Sequence, residues 1–365
     1  MSNYTVEELR DLILAEISRV NELTDNSKSG YRSVHEPAVK FHLEQNQEWI
    51  KQKYPVYAKY LANGSEINPN AISPILIEVT SSKDADLFRL ARYTWSLPYT
   101  KGYGRRLRFL VMDESNEKLI GILGLQSPPI DFAIRDRRFN YPADRKVEFI
   151  NQTMDIFTLG AIPPYNRLLG GKLVGLAAAS NEVREAYKRK YSNRITLIDE
   201  RILPAELVAL TTTSAFGRSS LYNRLKYHDR LIAVPIGYTK GFGSFHLATL
   251  YPLLREFLKE RGIPTQGGFG VGPRIVWQTC RRAFRELSLP SNLLKHGIQR
   301  EAYLFPLVKN LDEYMAGYHT KPIYYDMPFQ EAAAWWKKRW LLARAERVDG
   351  WHNWDREVIE KTLII

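Results

Sequence analysis

A chain of 365 residues is long enough to bury a sizeable core in one large domain or two. Its composition, 44% hydrophobic and 25% charged, excludes a disordered chain, and a net charge of +12 points to a polyanionic partner, nucleic acid first. The single cysteine, Cys280, excludes an internal disulfide and a thiolate metal cluster, and no apolar run reaches the roughly 20 residues that span a bilayer.

Thr5 and Glu8 open an amphipathic helix to Leu23 with a capping box, and Leu9, Leu12, Ile13, Ile17 and Val20 share one face. Glu7, Glu8 and Asp11 rule out a signal peptide, so the expected setting is the cytoplasm with no membrane. A second helical stretch covers Glu36–Leu61, interrupted near Pro55. A strand at Ile75–Val79 and a helix at Asp84–Trp95 follow. Strands Leu107–Met112 and Leu119–Leu125 are joined by hairpin chemistry at Asp113–Asn116. The apolar run Met154–Ile162 reads as a long strand. It ends in the turn Pro163–Asn166, then Arg167-Leu-Leu-Gly-Gly-Lys172, then a helix over Leu173–Tyr191. Short strands at Ile195–Ile198 and Leu207–Thr212, a short helix at Arg218–Leu225 and a strand at Leu231–Ile236 come next. The remaining pattern gives helices Leu250–Arg261 and Pro273–Leu287 around a glycine tract at Gly267–Gly272, a strand at Tyr303–Val308 and a helix at Phe329–Arg347. The chain therefore divides into a helical N-terminal module (1–70), an α/β core (71–245) and a C-terminal helical region packed on that core (246–365).

Strand, glycine turn and helix together point backbone N–H groups at an anion, which makes Arg167, Gly170, Gly171 and Lys172 a candidate phosphate loop. Three basic clusters add candidate contacts for nucleic acid. Lys101, Arg105, Arg106 and Arg108 crowd one loop and strand start beside Tyr99 and Tyr103, where guanidinium forks would take phosphates and tyrosines would stack on bases. Arg135, Arg137 and Arg138 form the second cluster. Lys188, Arg189 and Lys190 form the third, at a helix end where cations also meet the macrodipole. Arg281, Arg282 and Arg285 share a later helix, with Arg281 and Arg285 one turn apart. Trp336, Trp340 and Ala343 make an aromatic stripe suited to the core or to a partner. The seven histidines make no metal-binding pair, and no Walker loop is present. Asp131, Asp136 and Glu148 could hold Mg2+ in a nuclease, though balancing the neighbouring arginines is the simpler role.

The order of elements from Ile75 to Tyr238 resembles the GCN5-related N-acetyltransferases, and the expected fold class is α+β with an acetyltransferase-like mixed sheet. In that family a loop of the form Arg/Gln-x-x-Gly-x-Gly/Ala holds the pyrophosphate of an acyl coenzyme A. Arg167, Gly170 and Gly171 follow the pattern, while Lys172 stands where Gly or Ala is usual. The resemblance places Tyr222, within Ser219-Ser-Leu-Tyr-Asn-Arg-Leu-Lys-Tyr227, as general acid and Asp155 as the nearest candidate base.

A narrower resemblance rests on five strings in order: Leu90-Ala-Arg-Tyr93, Lys101-Gly-Tyr-Gly-Arg-Arg-Leu-Arg-Phe-Leu-Val111, Ala133-Ile-Arg-Asp-Arg-Arg-Phe139, Asn166-Arg-Leu-Leu-Gly-Gly-Lys172 and Gly237-Tyr-Thr-Lys-Gly-Phe242. With these the chain resembles the family of the A component of the Druantia anti-phage defence system. Ser214–Tyr222 departs from it in lacking a tryptophan. The resemblance implies a role in bacterial immunity beside a large helicase-like partner, and supplies no reaction. The leading reading is a defence component that binds nucleic acid, DNA first, through Lys101, Arg105, Arg106, Arg108, Arg135, Arg138, Lys188, Arg189 and Lys172. The alternatives are an acyl coenzyme A-dependent acyltransferase modifying a nucleobase or a protein, and a scaffold that engages its partner through Trp336 and Trp340.

Overall fold

The computed structural model describes residues 4–23, 27–196, 200–215, 217–265 and 273–365. Helix α1 (Val6–Leu23) carries the expected capping box: the Thr5 and Glu8 side chains each accept from the other's backbone N–H, at 3.2 and 2.7 Å respectively. Helix α2 (Lys28–Glu44) begins earlier than the sequence suggests, because Ser27 caps it by accepting from the Gly30 N–H. Pro37 and Pro55 lie inside α2 and α3 (Gln47–Tyr57).

Strand β1 (Pro74–Glu78), helix α4 (Ser82–Arg92) and the hairpin β2 (Arg106–Asp113) and β3 (Lys118–Gln126) follow. Two short helices, α5 (Ala133–Asp136) and α6 (Lys146–Asn151), lead into β4 (Thr153–Ala161). The helix expected over Leu173–Tyr191 is two helices, α7 (Gly170–Ala178) and α8 (Asn181–Tyr191). Ser180 adopts an extended N-cap backbone that breaks the run. After β5 (Ala209–Thr213), the expected helix at Arg218–Leu225 is a series of turns; Asn223 donates to the carbonyl of Ser219 and to the Tyr303 hydroxyl instead. The small ladder of β6 (Lys226–Tyr227) and β7 (Arg230–Leu231) precedes β8 (Val234–Tyr238), α9 (Tyr251–Glu260) and α10 (Pro273–Glu286). Strand β9 (Glu301–Pro306), α11 (Leu311–Met315), α12 (Phe329–Trp336), a π turn at Lys337–Leu341, α13 (Leu342–Arg347) and α14 (Glu357–Leu363) complete the chain. The Gly267–Gly272 tract lies outside the described residues, as do Leu197 and Ile198 of the strand expected at Ile195–Ile198; Ile195 itself forms an isolated bridge with Ile202.

One mixed sheet of seven strands runs β1-β2-β3-β4-β5-β9-β8. Pairing is antiparallel except between β4 and β5, because the α7–α8 crossover returns the chain in the same direction. Strand β9 comes from the 246–365 stretch and is paired on both sides, so that stretch contributes to the sheet as well as helices. Strict alternation sets the layers. Leu107, Phe109 and Val111 of β2 face α7, α8 and α12, while Leu110 and Met112 face α3, α4 and α14. Helix α1 instead seats Leu9 and Ile13 on Leu254, Phe257 and Phe284 of α9 and α10. Beside that seam His35, His246 and His296 are buried around Phe245, with ring centroids 4.6 Å from it for His35 and His296. No described helix is long and apolar enough to cross a membrane.

Candidate nucleic-acid interface

The loop before β2 carries the first basic cluster, and its two glycines shape it. Gly102 and Gly104 adopt φ of +69° and +61°, and a Cβ on Gly104 would lie 2.4 Å from the Ser127 hydroxyl. Arg105 then turns inward: its guanidinium donates to the Asn151 carbonyl and the Tyr187 hydroxyl and lies 5.4 Å from the Tyr187 ring centroid. It fastens the loop to α8 and is not free for a ligand.

Arg106 points the other way and is exposed, as alternation along β2 requires. Its backbone is clamped by the end of α8: its carbonyl accepts from Lys190 Nζ at 3.0 Å and from the Tyr191 hydroxyl at 2.9 Å. Arg108 is half-buried beside Phe88 and Tyr99; burial lowers its pKa, and Arg106 pushes it the same way. Lys190 is lowered by burial, then by Arg108, Arg194 and Arg106, against the pull of Glu78. Lys190 Nζ and the Arg194 guanidinium lie 6.0 and 5.9 Å from the centroid of the Tyr191 ring, whose hydroxyl donates to the Arg106 carbonyl, which gathers them with Arg106 and Arg108 into one positive patch. Tyr99, at its edge, stacks on Tyr93 with ring centroids 4.7 Å apart and planes at 20°. Arg194 lies beyond the C-terminal end of α8, so the helix pattern alone does not join it to Lys190.

Several other expected contacts are engaged elsewhere. Arg135 is fully buried; its Nε and Nη2 donate to Asp136 and to the Ile130 carbonyl, so no surface phosphate reaches it. Arg138 pairs with Asp312 at 2.6 Å, Lys188 with Glu206 at 3.2 Å, and Arg189 with Glu78. Lys101 is exposed on the loop. Asp131 and Asp136 are balanced by Lys146, and Glu148 by Arg145; no metal-binding group exists among the described residues.

The glycine turn is packed shut. A Cβ on Gly170 would lie 2.8 Å from the Tyr165 carbonyl oxygen, and one on Gly171 would lie 2.9 Å from Leu221 Cδ1. The Gly170 and Lys172 N–H groups already donate, to Tyr165 at 2.8 Å and Leu169 at 2.9 Å. The carbonyl of Leu169 accepts from Trp336 Nε1 at 3.0 Å, and that of Arg167 from Arg344 Nε at 3.0 Å. Arg167 itself donates to the Gly350 carbonyl. Lys172 is buried against Trp340 and donates to the Leu221 carbonyl; burial, then Arg224, brings its pKa down to about 8. A coenzyme pyrophosphate does not fit these residues as they stand. Trp336 is wholly buried here, which removes it as a partner contact.

Asp155 sits on β4 opposite Thr211 of β5 and Gln126 of β3, and accepts from Thr211 Oγ1 at 2.9 Å and Gln126 Nε2 at 3.2 Å. Burial pushes its carboxyl up to about 6, opposed by those hydrogen bonds and by Arg135. Tyr103, which sequence reasoning passed over as a catalytic neighbour, lies near enough that Asp155 adds to burial in raising its hydroxyl to about 12. Tyr222 is on the opposite face. It packs 4.9 Å from the Tyr303 ring, and its hydroxyl meets Thr212, whose side chain alternates with that of Thr211. Burial raises the Tyr222 hydroxyl to about 12, and Asp155 adds to that shift from the other side of the strand alternation.

Comparison with known proteins agrees with the sequence strings. Residues 25–317 match the family described as Druantia protein DruA. A Druantia protein DruA from Escherichia coli (strain UMEA 4076-1) is 36% identical over 334 residues, covering 90% of this chain and 83% of that protein. No solved structure matches. On both counts, the chain belongs to the Druantia protein DruA family.

Proposed function

We propose that this protein is the nucleic-acid-binding component of a Druantia-type anti-phage system, working beside a helicase-like partner. The observation that carries the reading is the patch of Arg106, Arg108, Lys190 and Arg194 at the junction of β2 and α8, where Lys190 and Tyr191 donate to the Arg106 carbonyl and Arg194 lies 5.9 Å from the Tyr191 ring centroid. Glu78, already paired with Arg189, offsets these charges only in part, and the remaining like-charge cost is one that a bound polyanion would offset. Tyr99 and Lys101 border the patch and suit a single strand with splayed bases. Fluorescence anisotropy with labelled single- and double-stranded DNA across a salt series tests the reading. Log affinity is expected to fall linearly with log salt; no binding at low salt rejects it.

A second reading, an acyl coenzyme A-dependent acyltransferase, draws on the strand order and on the parallel β4–β5 pair followed by divergence beyond Asp155. It requires the C-terminal segment to leave the turn at Gly170 and Gly171. Calorimetry with acetyl coenzyme A decides it: a saturable heat supports the acyltransferase, and silence leaves the nucleic-acid reading alone.

A further inference from the structure

Helix α10 carries a second basic feature, on other elements than the patch at β2 and α8. Gln278, Arg281, Arg282 and Arg285 line a cavity of about 460 Å3 with Phe284, Leu289 and Ser291. That volume lies within the range of small-ligand pockets, about 300–1,000 Å3. The three arginines converge with little compensation. Arg282 is oriented by donating Nη1 to the Pro264 carbonyl at 2.5 Å, and Arg285 meets Glu286 only at 3.4 Å, while 74% of its side chain remains exposed. Arg281 is exposed, and no ion pair is formed by it among the described residues. Like charges one turn apart destabilise a helix. The macrodipole explains Arg285 in the last turn, but not Arg281, which precedes it.

We infer that this groove is a separate binding site for the phosphodiester backbone of a single-stranded nucleic acid. Arg281 and Arg285 are roughly 6 Å apart along the helix axis, a spacing of the order of successive phosphates in an extended strand. Each fork takes one phosphate bidentately. Gln278 and Ser291 supply neutral donors for sugar or base edges, and Phe284 and Leu289 give the groove an apolar floor. The site adds a second anchoring point to the nucleic-acid reading and depends on residues that reading does not use.

The test is anisotropy of a labelled single-stranded DNA of about 20 nucleotides with the full chain, the variant Arg281→Glu/Arg285→Glu and the variant Arg106→Glu/Lys190→Glu. The α10 variant is expected to bind at least tenfold more weakly at low salt, with a log–log salt slope shallower by about 1.4, two phosphate contacts on a single strand. Unchanged affinity and slope for the α10 variant, with the wild-type chain binding, overturn the inference and leave the first patch standing. Loss confined to the α10 variant supports the inference and removes the first patch. Equal displacement of the strand by polyglutamate of matched charge overturns phosphate recognition and marks the groove as a protein-docking surface. No binding by the wild-type chain rejects both sites. Thermal melts of both variants, expected to match the wild-type protein because the substituted residues are exposed or half-buried, exclude unfolding as the cause.

Discussion

Acidification tests the seam between the N-terminal helices and the 245–300 segment. His35, His246 and His296 are 1%, 4% and 7% exposed. Burial lowers each pKa, His35 to about 3 and His246 and His296 to about 4. Arg300 beside His35 and His296, and Arg19 beside His35 and His246, push the same way. A histidine in the unfolded chain takes up its proton near pH 6.5. As pH falls from 6.5 toward 5 the unfolded state comes to bind up to three more protons than the folded one, and stability falls as pH falls. Each histidine contributes about 1.4 kcal/mol per pH unit, so the three together give about 4 kcal/mol per unit once below 6. Against a total stability of about 5–15 kcal/mol, a drop from pH 7.5 to 5 removes a large share. Urea titrations followed by tryptophan fluorescence at half-unit pH steps give the slope directly. The variant His246→Gln lowers the slope by about a third, whatever its effect at pH 7.5. A slope under about 1.4 kcal/mol per pH unit for the wild-type chain would refute the burial of these rings as neutral groups.

Three further substitutions probe the packing around the site. Gly64→Ala places a Cβ 2.2 Å from the Trp351 carbonyl oxygen, where Gly64 N–H also donates to Trp354; urea unfolding should show a loss of about 2 kcal/mol or more, and an unchanged midpoint contradicts the close approach. Trp336→Ala removes a wholly buried indole and its bond to Leu169, with an expected loss of about 3–5 kcal/mol; a loss under about 1 kcal/mol means that the glycine turn is open to solvent. Arg135→Met leaves Asp136 with Lys146 alone and removes the cation that lowers Asp155. Stability should fall by about 3 kcal/mol, and the Asp155 carboxyl, followed by NMR titration, should move further above about 6. A fixed Asp155 titration separates the two groups.

Local pattern carried the first half of the sheet. The β2–β3 hairpin pairs neighbours through a short turn, so alternation and turn chemistry were enough. The insertion of β9 between β5 and β8 joins partners far apart in sequence, such as Thr213 with Ala302 and Tyr238 with Glu301, and no local signal encodes it. The basic clusters were legible as strings, but not their fate. Arg105 ends the loop and Arg106 opens β2, and the two side chains part there, one into α8 and one to solvent. Arg138 and Arg189 are neutralised by Asp312 and Glu78, carboxylates distant in sequence. The glycine turn has the composition of an anion cradle, yet tertiary packing by Trp336 and Lys172 fills it. Asp155 stood out as an acid in an apolar strand. Its partners Thr211 and Gln126 became visible only through strand register.

The claim that the β2–α8 patch grips phosphates is tested most directly by the salt dependence of single-stranded DNA binding in the variant Arg106→Ala/Arg108→Ala. Relative to the wild-type chain, the log–log slope should become shallower by about 1.4 for two lost phosphate contacts, with weaker binding to every sequence tried. A variant that keeps the wild-type slope and affinity would show that these arginines touch no phosphate.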